Sequence, residues 1–238
     1  MALVLIHGYA ETGFIFKHII PQLNHTEIYN IELPGFGIEA PPNEYSLKNY
    51  AEFIHNYLQK NNISGAHFAG HSLGGYILAE LTAINPEIFK SLTFIHSHAS
   101  IDSTDRQKRR NEIAKSLIKF GSEPFLKLFY EGLFKPENLT SNSKLIDNLF
   151  SEGTKIPLTT LIELQYAMRD RKDRISEINE ANFPVYFFAG EYDNLIPLAE
   201  IELQAAQIKS AQVILSNSAH MAQFEDSNSL IAHLNSLT

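Results

Sequence analysis

The stretch FAGHSLGGYI, Phe68–Ile77, places one serine between glycines, with apolar residues on either side. Its central part, GHSLG at positions 70–74, fits the pattern G-x-S-x-G. In that pattern a serine occupies a very tight strand-to-helix turn with its Oγ exposed, and the glycines let neighbouring backbone pass close by. The pattern is short, so an inert serine in a glycine-rich turn is the alternative. The surrounding sequence has to decide between the two.

Composition limits the classes of function that need to be considered. The chain has 238 residues, a net charge of -8 and no cysteine. The length suits one large domain, or a core with a sizeable insertion. An acidic chain of this kind argues against a general nucleic-acid binder, and the missing cysteines exclude disulfides and thiolate metal sites.

The N-terminal segment gives no sign of export. MALVLIHGYA lacks a basic leader, and its apolar run from Ala2 to Ile6 is too short for a signal peptide. No segment approaches a membrane-spanning length. We therefore expect a cytoplasmic protein that does not engage a membrane.

Short apolar strands alternate with helical patterns in both outer parts of the chain. The expected strands are Ala2–Ile6, Thr26–Leu33, 65–70, Ser91–Ser97, Phe183–Gly190 and 211–217. Such alternation with short connections predicts a mostly parallel sheet flanked by helices, an α/β fold.

The middle of the chain breaks this rhythm. From Ile101 to Ile178 only helical patterns are found. We predict a core formed by residues 1–100 and 179–238, and an all-helical cap, residues 101–178, inserted after the fourth strand. The insertion would sit at the carboxyl ends of the strands, where open α/β sheets bind ligands.

Ser72 needs a base and the base needs a carboxylate. His220, between the last predicted strand and the last helix, would lie on the same sheet edge as Ser72 and is the predicted base. Asp193 follows the fifth strand and is the predicted acid, in preference to Glu191 and Asp102. The chain order Ser, Asp, His matches the order found in one α/β architecture with this motif.

Two backbone amides are candidates for an oxyanion hole. The amide of Leu73 lies at the start of the predicted helix, where it can face a developing negative charge. The loop HGYAETG after the first strand offers the amide of Tyr9.

Five short segments together resemble the signature points of the α/β-hydrolase superfamily. They are His7–Tyr9, Leu33–Gly37, Gly70–Gly75, Ala189–Asp193 and Ser218–Met221. The resemblance covers the whole chain, is strongest for small cytosolic esterase-like members, and makes residues 101–178 the family's cap. It implies the roles already assigned to Ser72, Asp193, His220, Tyr9 and Leu73.

Two departures from the family pattern accompany the resemblance. Glu32 stands where the family often has Asp, a position that is usually structural. The family's usual first two strands have no counterpart before His7, which predicts a sheet of about six strands. Its edges would then depend on the cap or on a homodimer partner.

The resemblance also weighs other activities. Epoxide hydrolases and dehalogenases of similar fold use an Asp nucleophile, which Ser72 argues against. The similar lyase of menaquinone synthesis usually has Arg four residues after the nucleophile, where this chain has Tyr76. A lyase or C–C bond hydrolase, and a non-catalytic small-molecule binder, remain alternatives to an esterase.

The cap is rich in bulky apolar residues, so part of it is expected to roof an apolar pocket. We predict Phe14, His98, Phe129 and Ile196 as pocket residues. The basic run RQKRR, residues 106–110, is expected to form a solvated helix face. The predicted substrate is a small-to-medium ester with an apolar acyl group, and no cofactor or metal is expected.

Overall fold

The computed structural model describes residues 1–237 and contains one parallel sheet of six strands. The strands are β1 (Ala2–Ile6), β2 (Glu27–Ile31), β3 (Ala66–His71), β4 (Phe89–Ile95), β5 (Val185–Gly190) and β6 (Ala211–Ser216). Each lies within about two residues of its predicted span. The fold is therefore the predicted α/β architecture with a parallel sheet.

The strand order is β2-β1-β3-β4-β5-β6, so the chain reverses direction across the sheet at β1. β1 pairs with β2 on one side and with β3 on the other. Ligands of open α/β sheets bind outside the carboxyl ends of the strands at such a reversal. The segments that follow β1 and β3 carry Tyr9 and Ser72, so both residues belong to this edge.

Ten α-helices accompany the sheet within residues 1–237. They are α1 (Leu47–Lys60), α2 (Leu73–Ile84), α3 (Thr104–Phe120), α4 (Glu123–Glu131), α5 (Ser143–Gly153), α6 (Leu158–Arg169), α7 (Ile175–Glu180), α8 (Leu198–Ala205), α9 (Ala222–Glu225) and α10 (Ser227–Asn235). Short 3-10 helices occupy Gly13–Phe16, Ile20–Gln22, Pro86–Ile88 and Pro136–Asn138.

Local sequence signals explain where several helices begin and end. Ser46 caps α1, and its hydroxyl accepts a hydrogen bond from the Asn49 amide at 3.1 Å. Ser103 caps α3 in the same way. α3 ends at Gly121, whose φ of 78° lies in the region that favours glycine.

The core lies between the sheet and its helices. β1 and β3 are buried along their whole length, whereas the edge strands β2 and β6 are partly exposed. Stacked rings of Phe94 and Phe187 join neighbouring central strands. This pattern is typical of a parallel sheet that helices cover on both faces.

The segment between β4 and β5 is helical, from α3 to α7. Its helices pack in pairs, α3 against α6 and α4 against α5, while α7 packs against the core helix α2. Arg174 ties α7 to α2 through the Glu80 carboxylate at 2.7 Å. The division at residues 101 and 178 stays a prediction, and the main packing partner of α7 is the core helix α2.

No helix within residues 1–237 is long and apolar enough to span a lipid bilayer.

Candidate active site

Ser72 occupies the turn between β3 and α2 in a strained backbone conformation. Its φ is 49° and its ψ is -113°, a combination that a residue with a side chain rarely adopts. A Cβ atom on Gly74 would lie 2.4 Å from the Ile6 carbonyl oxygen, and one on Gly70 would lie 2.5 Å from the backbone of Gly74. The two glycines therefore permit the tight turn that presents the Ser72 side chain.

The two candidate oxyanion amides lie beside this turn. Leu73 begins α2, and Tyr9 lies in the loop after β1, the strand that pairs with β3. Within residues 1–237, neither amide donates a hydrogen bond to a protein acceptor. Both are thus available to an oxygen atom bound at the carboxyl edge of the sheet.

His220 and Asp193 form a buried hydrogen-bonded pair. The Nδ1 atom of His220 lies 2.7 Å from Oδ2 of Asp193. The other carboxylate oxygen accepts from the amides of Leu195 and Ile196 at 2.8 and 3.0 Å, which fixes the carboxylate in its loop. Burial alone would raise the pKa of Asp193, but the neighbouring His220 and His96 hold it far below its usual range.

Ser72 and His220 line the same cavity. Within residues 1–237, the Ser72 hydroxyl makes no hydrogen bond to His220 or to another residue. Hydrogen bonds between a nucleophile and its base are often long in the free protein and shorten with substrate bound. The alternative acids lie elsewhere, since Asp102 pairs with arginines and Glu191 is exposed.

His96 is a second imidazole beside Asp193. Its Nδ1 lies 3.3 Å from Asp193 Oδ2, while its Nε2 accepts from the Ala222 amide at 3.2 Å. Burial lowers the pKa of His96 to about 4, so the ring is neutral at pH 7. A neutral ring with Nε2 as acceptor carries its proton on Nδ1, facing Asp193. In the sequence, only the position of His96 near the end of the fourth predicted strand points to this contact.

Glu11 and His71 form a buried pair beneath His220, which the sequence reasoning missed. The Nδ1 of His71 donates to Glu11 Oε2 at 2.8 Å, and its Nε2 donates to the His220 carbonyl at 2.8 Å. Burial lowers the pKa of His71, but the Glu11 charge outweighs this and the pKa is raised. Glu11 also accepts from the Gly8 amide at 2.8 Å, and His71 holds its pKa below the usual value against the effect of burial. Because each ring nitrogen of His71 faces an oxygen acceptor, the ring has the contacts of an imidazolium, and it supports the backbone of His220.

The cavity at this edge measures about 420 Å³. It is lined by Tyr9, Ser72, Tyr76, Arg106, Arg109, Arg110, Ile113, Phe125, Leu128, Phe129, Gly132, Gln165, Met168, Asn194, Leu195, Ile196 and His220. Two of the four predicted pocket residues, Phe129 and Ile196, are among them.

Phe14 and His98 do not line the cavity, so these two predictions require correction. Phe14 belongs to the 3-10 helix Gly13–Phe16, whose Gly13 carbonyl accepts a hydrogen bond from the Asn30 side chain on edge strand β2. His98 is buried behind Tyr76, with ring centroids 5.1 Å apart. Burial, followed by the charges of nearby arginines, lowers the pKa of His98 well below its usual value.

The basic run 106–110 was expected to form a solvated helix face, but part of it borders the cavity. Arg106, Arg109 and Arg110 line the cavity, although Arg109 is largely exposed. The helical spacing was visible in the sequence, but the direction of that face depends on how α3 packs against α6.

His96, Asp193 and His220 are the only described group whose geometry could hold a metal ion within residues 1–237, with candidate ligand atoms within 4.8 Å of one another. A metal bound there would displace the proton that His220 and Asp193 share. In the structure His220 is hydrogen-bonded to Asp193, and His96 Nδ1 lies 3.3 Å from the same carboxylate oxygen.

A parallel sheet with a serine in a tight strand-to-helix turn at its reversal point is typical of one class of α/β folds. The chain belongs to the alpha/beta hydrolase fold family, whose family model matches residues 2–227.

Curated relatives of similar sequence are mostly esterases. The chain is 26% identical over 211 residues to a pimeloyl-[acyl-carrier protein] methyl ester esterase of Pseudoalteromonas atlantica, covering 82% of this chain and 77% of that enzyme. It is 25% identical to the hydrolase YugF of Bacillus subtilis, and the match covers 98% of this chain and 88% of that protein. It is also 25% identical to Lipase 3 of a Moraxella species, and that match covers 90% of this chain and 70% of the lipase.

Solved structures agree on the fold. An esterase from Thermogutta terrifontis superposes with a TM-score of 0.91 at 17% identity, covering 99% of this chain and 88% of that chain. An enol-lactonase from Burkholderia xenovorans superposes with a TM-score of 0.89 at 16% identity, covering 99% and 90%. At this identity the likeness concerns the fold alone.

Proposed function

We propose that the protein is a serine hydrolase that cleaves small-to-medium carboxylic esters through an acyl-enzyme. One observation carries the proposal: the Asp193–His220 pair and the elbow serine, Ser72, meet at one cavity beside two unused backbone amides. The curated relatives support ester hydrolysis as the general activity.

The proposed mechanism assigns each group one step. His220 Nε2 takes the hydroxyl proton as Ser72 Oγ bonds to the ester carbonyl carbon, and the amides of Tyr9 and Leu73 stabilise the oxyanion. His220 then gives that proton to the departing alcohol as the C–O bond breaks. A water molecule repeats the sequence on the acyl-enzyme, which releases the acid and restores Ser72. Asp193 orients His220 and stabilises its charged form throughout, and no cofactor takes part.

The cavity supports an apolar acyl group. Phe125, Phe129, Leu128, Ile113 and Met168 supply an apolar wall, and a volume of about 420 Å³ falls in the range of small-molecule sites. One relative is named for a pimeloyl methyl ester and another is named a lipase, and both names support an ester substrate with an acyl chain.

Covalent labelling tests the proposal. A fluorophosphonate probe should label the native protein on Ser72, and p-nitrophenyl esters of graded chain length should be cleaved with an optimum at short or medium chains. Ser72→Ala should abolish both, while Ser141→Ala, which alters an exposed serine, should change neither. Native protein that takes no label, or takes it at another residue, would refute the mechanism.

A lyase or C–C bond hydrolase is the second candidate, because arginines line the cavity and could hold a carboxylate-bearing substrate. Assays of both reactions on wild type and Ser72→Ala separate it from the esterase. A non-catalytic binder would bind small molecules but take no label.

A further inference from the structure

The face of α3 that borders the cavity is cationic. Arg106, Arg109, Arg110 and Ile113 follow the spacing i, i+3, i+4, i+7, so they share one helix face, and all four line the cavity. Within residues 1–237, the cavity lining contains no aspartate or glutamate. The whole chain carries a net charge of -8, so the positive charge beside the cavity is opposite in sign to the net charge of the chain.

Acidic partners neutralise only part of this charge. Asp102 pairs with three arginines, with Oδ2 at 3.0 Å from Arg110 Nε and Oδ1 at 2.7 Å from Arg171 Nη1 and 4.0 Å from Arg106 Nε. Arg106 pairs with Glu200 at 3.0 Å. The two carboxylates, those of Asp102 and Glu200, thus lie among four guanidinium groups, which leaves an excess of two positive charges beside the cavity. The four groups belong to Arg106, Arg109, Arg110 and Arg171.

Arg109 is the cation without a partner. Within residues 1–237, its side chain makes no ion pair or hydrogen bond, yet it borders the cavity. Arg110 has its Nε engaged by Asp102 and its Nη1 only loosely by Gln165, at 3.5 Å. The two neighbouring side chains therefore offer donors toward the cavity that the protein itself does not use.

We propose that the cavity binds esters that carry a second, anionic group, a carboxylate or a phosphate, which Arg109 and Arg110 hold while the ester lies at Ser72. The planar guanidinium matches both anions through paired N–H donors. The apolar wall, which includes Phe125, Phe129 and Met168, contacts the chain between the two ends of the substrate. This inference rests on the proposed function, since it assigns the substrate class of the same cavity.

Matched esters test the inference. Monomethyl octanedioate carries a carboxylate, dimethyl octanedioate is its neutral counterpart, and a methyl octanoate with a terminal phosphate carries the other anion. The wild type should show kcat/KM at least about tenfold higher for one or both anionic esters, because a charged hydrogen bond is stronger than a neutral one. The better anionic ester identifies the group, and its advantage should shrink with added salt.

Arg109→Gln should remove most of this preference, and Arg109→Lys should keep part of it. Arg109 is exposed and unpaired, so its substitution leaves no buried group without a partner. Arg169→Gln is the matched control, because Arg169 pairs with Asp170 and lies outside the cavity lining. Equal rates for charged and neutral esters in the wild type, or the same effect from the Arg109 and Arg169 variants, would overturn the inference.

A binding measurement separates this inference from the proposed function. Octanedioate is titrated calorimetrically into Ser72→Ala, with and without Arg109→Gln, and the second substitution should weaken binding about tenfold. If the wild type cleaves no ester while octanedioate binding to Ser72→Ala depends on Arg109, the anion site stands and the proposed function is refuted. Ester cleavage without any charge preference would overturn the anion site and leave the proposed function standing.

Discussion

Ser72 has a positive φ, and hydrogen bonds fix both sides of its backbone: its amide donates to the Ile95 carbonyl at 3.0 Å and its carbonyl accepts from the Ser97 hydroxyl at 2.6 Å. Strained residues of this kind persist only where the structure around them determines their position, and they concentrate at functional sites. The same edge holds three imidazoles. Glu11 raises the pKa of His71 against the effect of burial, burial lowers the pKa of His96 to about 4, and His220 lies between them against Asp193.

Asp193→Asn should lower kcat for ester hydrolysis by about 10⁴-fold with a smaller effect on KM, because the amide no longer selects the tautomer of His220 that accepts a proton at Nε2. Glu191→Gln, two residues earlier and exposed, should leave kcat within about twofold of wild type. Steady-state kinetics on a p-nitrophenyl ester measure both. A large loss in Glu191→Gln with none in Asp193→Asn would reassign the acid.

Glu11→Gln should destabilise the protein by about 3 kcal/mol, because it removes one partner of a buried charged pair. The pKa of His71 is raised above 6.5 and that of Glu11 is lowered below 4.5. The contribution of the pair is therefore complete between about pH 4.5 and 6.5. It is lost as the pH rises through the folded pKa of His71 or falls through that of Glu11.

Urea denaturation from pH 3 to 9 measures this window as the difference in unfolding free energy between wild type and Glu11→Gln. The exposed Glu44→Gln should show almost no difference at any pH. A difference for Glu11→Gln that does not vary with pH would contradict the charged pair.

At the scale of elements, the sequence predicts the unit of β3, its turn and α2 most clearly. The glycines in the turn are needed for tertiary packing as well as for the turn itself, since Gly74 lies against the backbone at the end of β1. The strands could be predicted because continuous apolar runs with short connections permit few other arrangements. The packing of α7 on α2 could not, since it depends on Arg174 meeting Glu80 across 94 residues of sequence.

Gly74→Ala should destabilise the fold by about 3 kcal/mol, because the added methyl meets the Ile6 carbonyl, which cannot move aside without disturbing β1. In Gly65→Ala the methyl meets the flexible end of Lys90 and lies at an ordinary 3.8 Å from the Ile88 carbonyl oxygen, so the change should stay within about 1 kcal/mol. Urea denaturation compares the two variants. Equal stability for both would mean that the close approach of the turn to β1 is not tight.

At the scale of the whole molecule, tyrosine hydroxyls join the helical segment to the sheet edge. Tyr9 donates to the Leu161 carbonyl on α6 at 2.8 Å, and Tyr45 lies 2.8 Å from the Thr160 hydroxyl. Tyr130 on α4 donates to the carbonyl of Ala10, in the loop that carries the Tyr9 amide. The helices above the cavity thus help to position one of the candidate oxyanion donors.

Tyr130→Phe should reduce kcat about tenfold and lower the unfolding free energy by about 1–3 kcal/mol, because the buried Ala10 carbonyl loses its donor. Tyr57→Phe, on α1 and outside the cavity lining, is the control and should leave kcat unchanged. Ester kinetics and urea denaturation measure the two effects. Unchanged kcat in Tyr130→Phe would separate the cap contact from catalysis.

The sequence by itself determined the parallel sheet, the serine turn, and the strand ends that carry Asp193 and His220. These features follow from local patterns and from chain order, because the carboxyl ends of parallel strands meet at one edge. Only the tertiary structure placed Glu11 against His71 and the arginine face of α3 against the cavity. Those contacts join residues far apart in sequence, and side-chain packing rather than local pattern decides their direction. The serine turn could therefore be read from ten residues, whereas the charge of the cavity beside it could not.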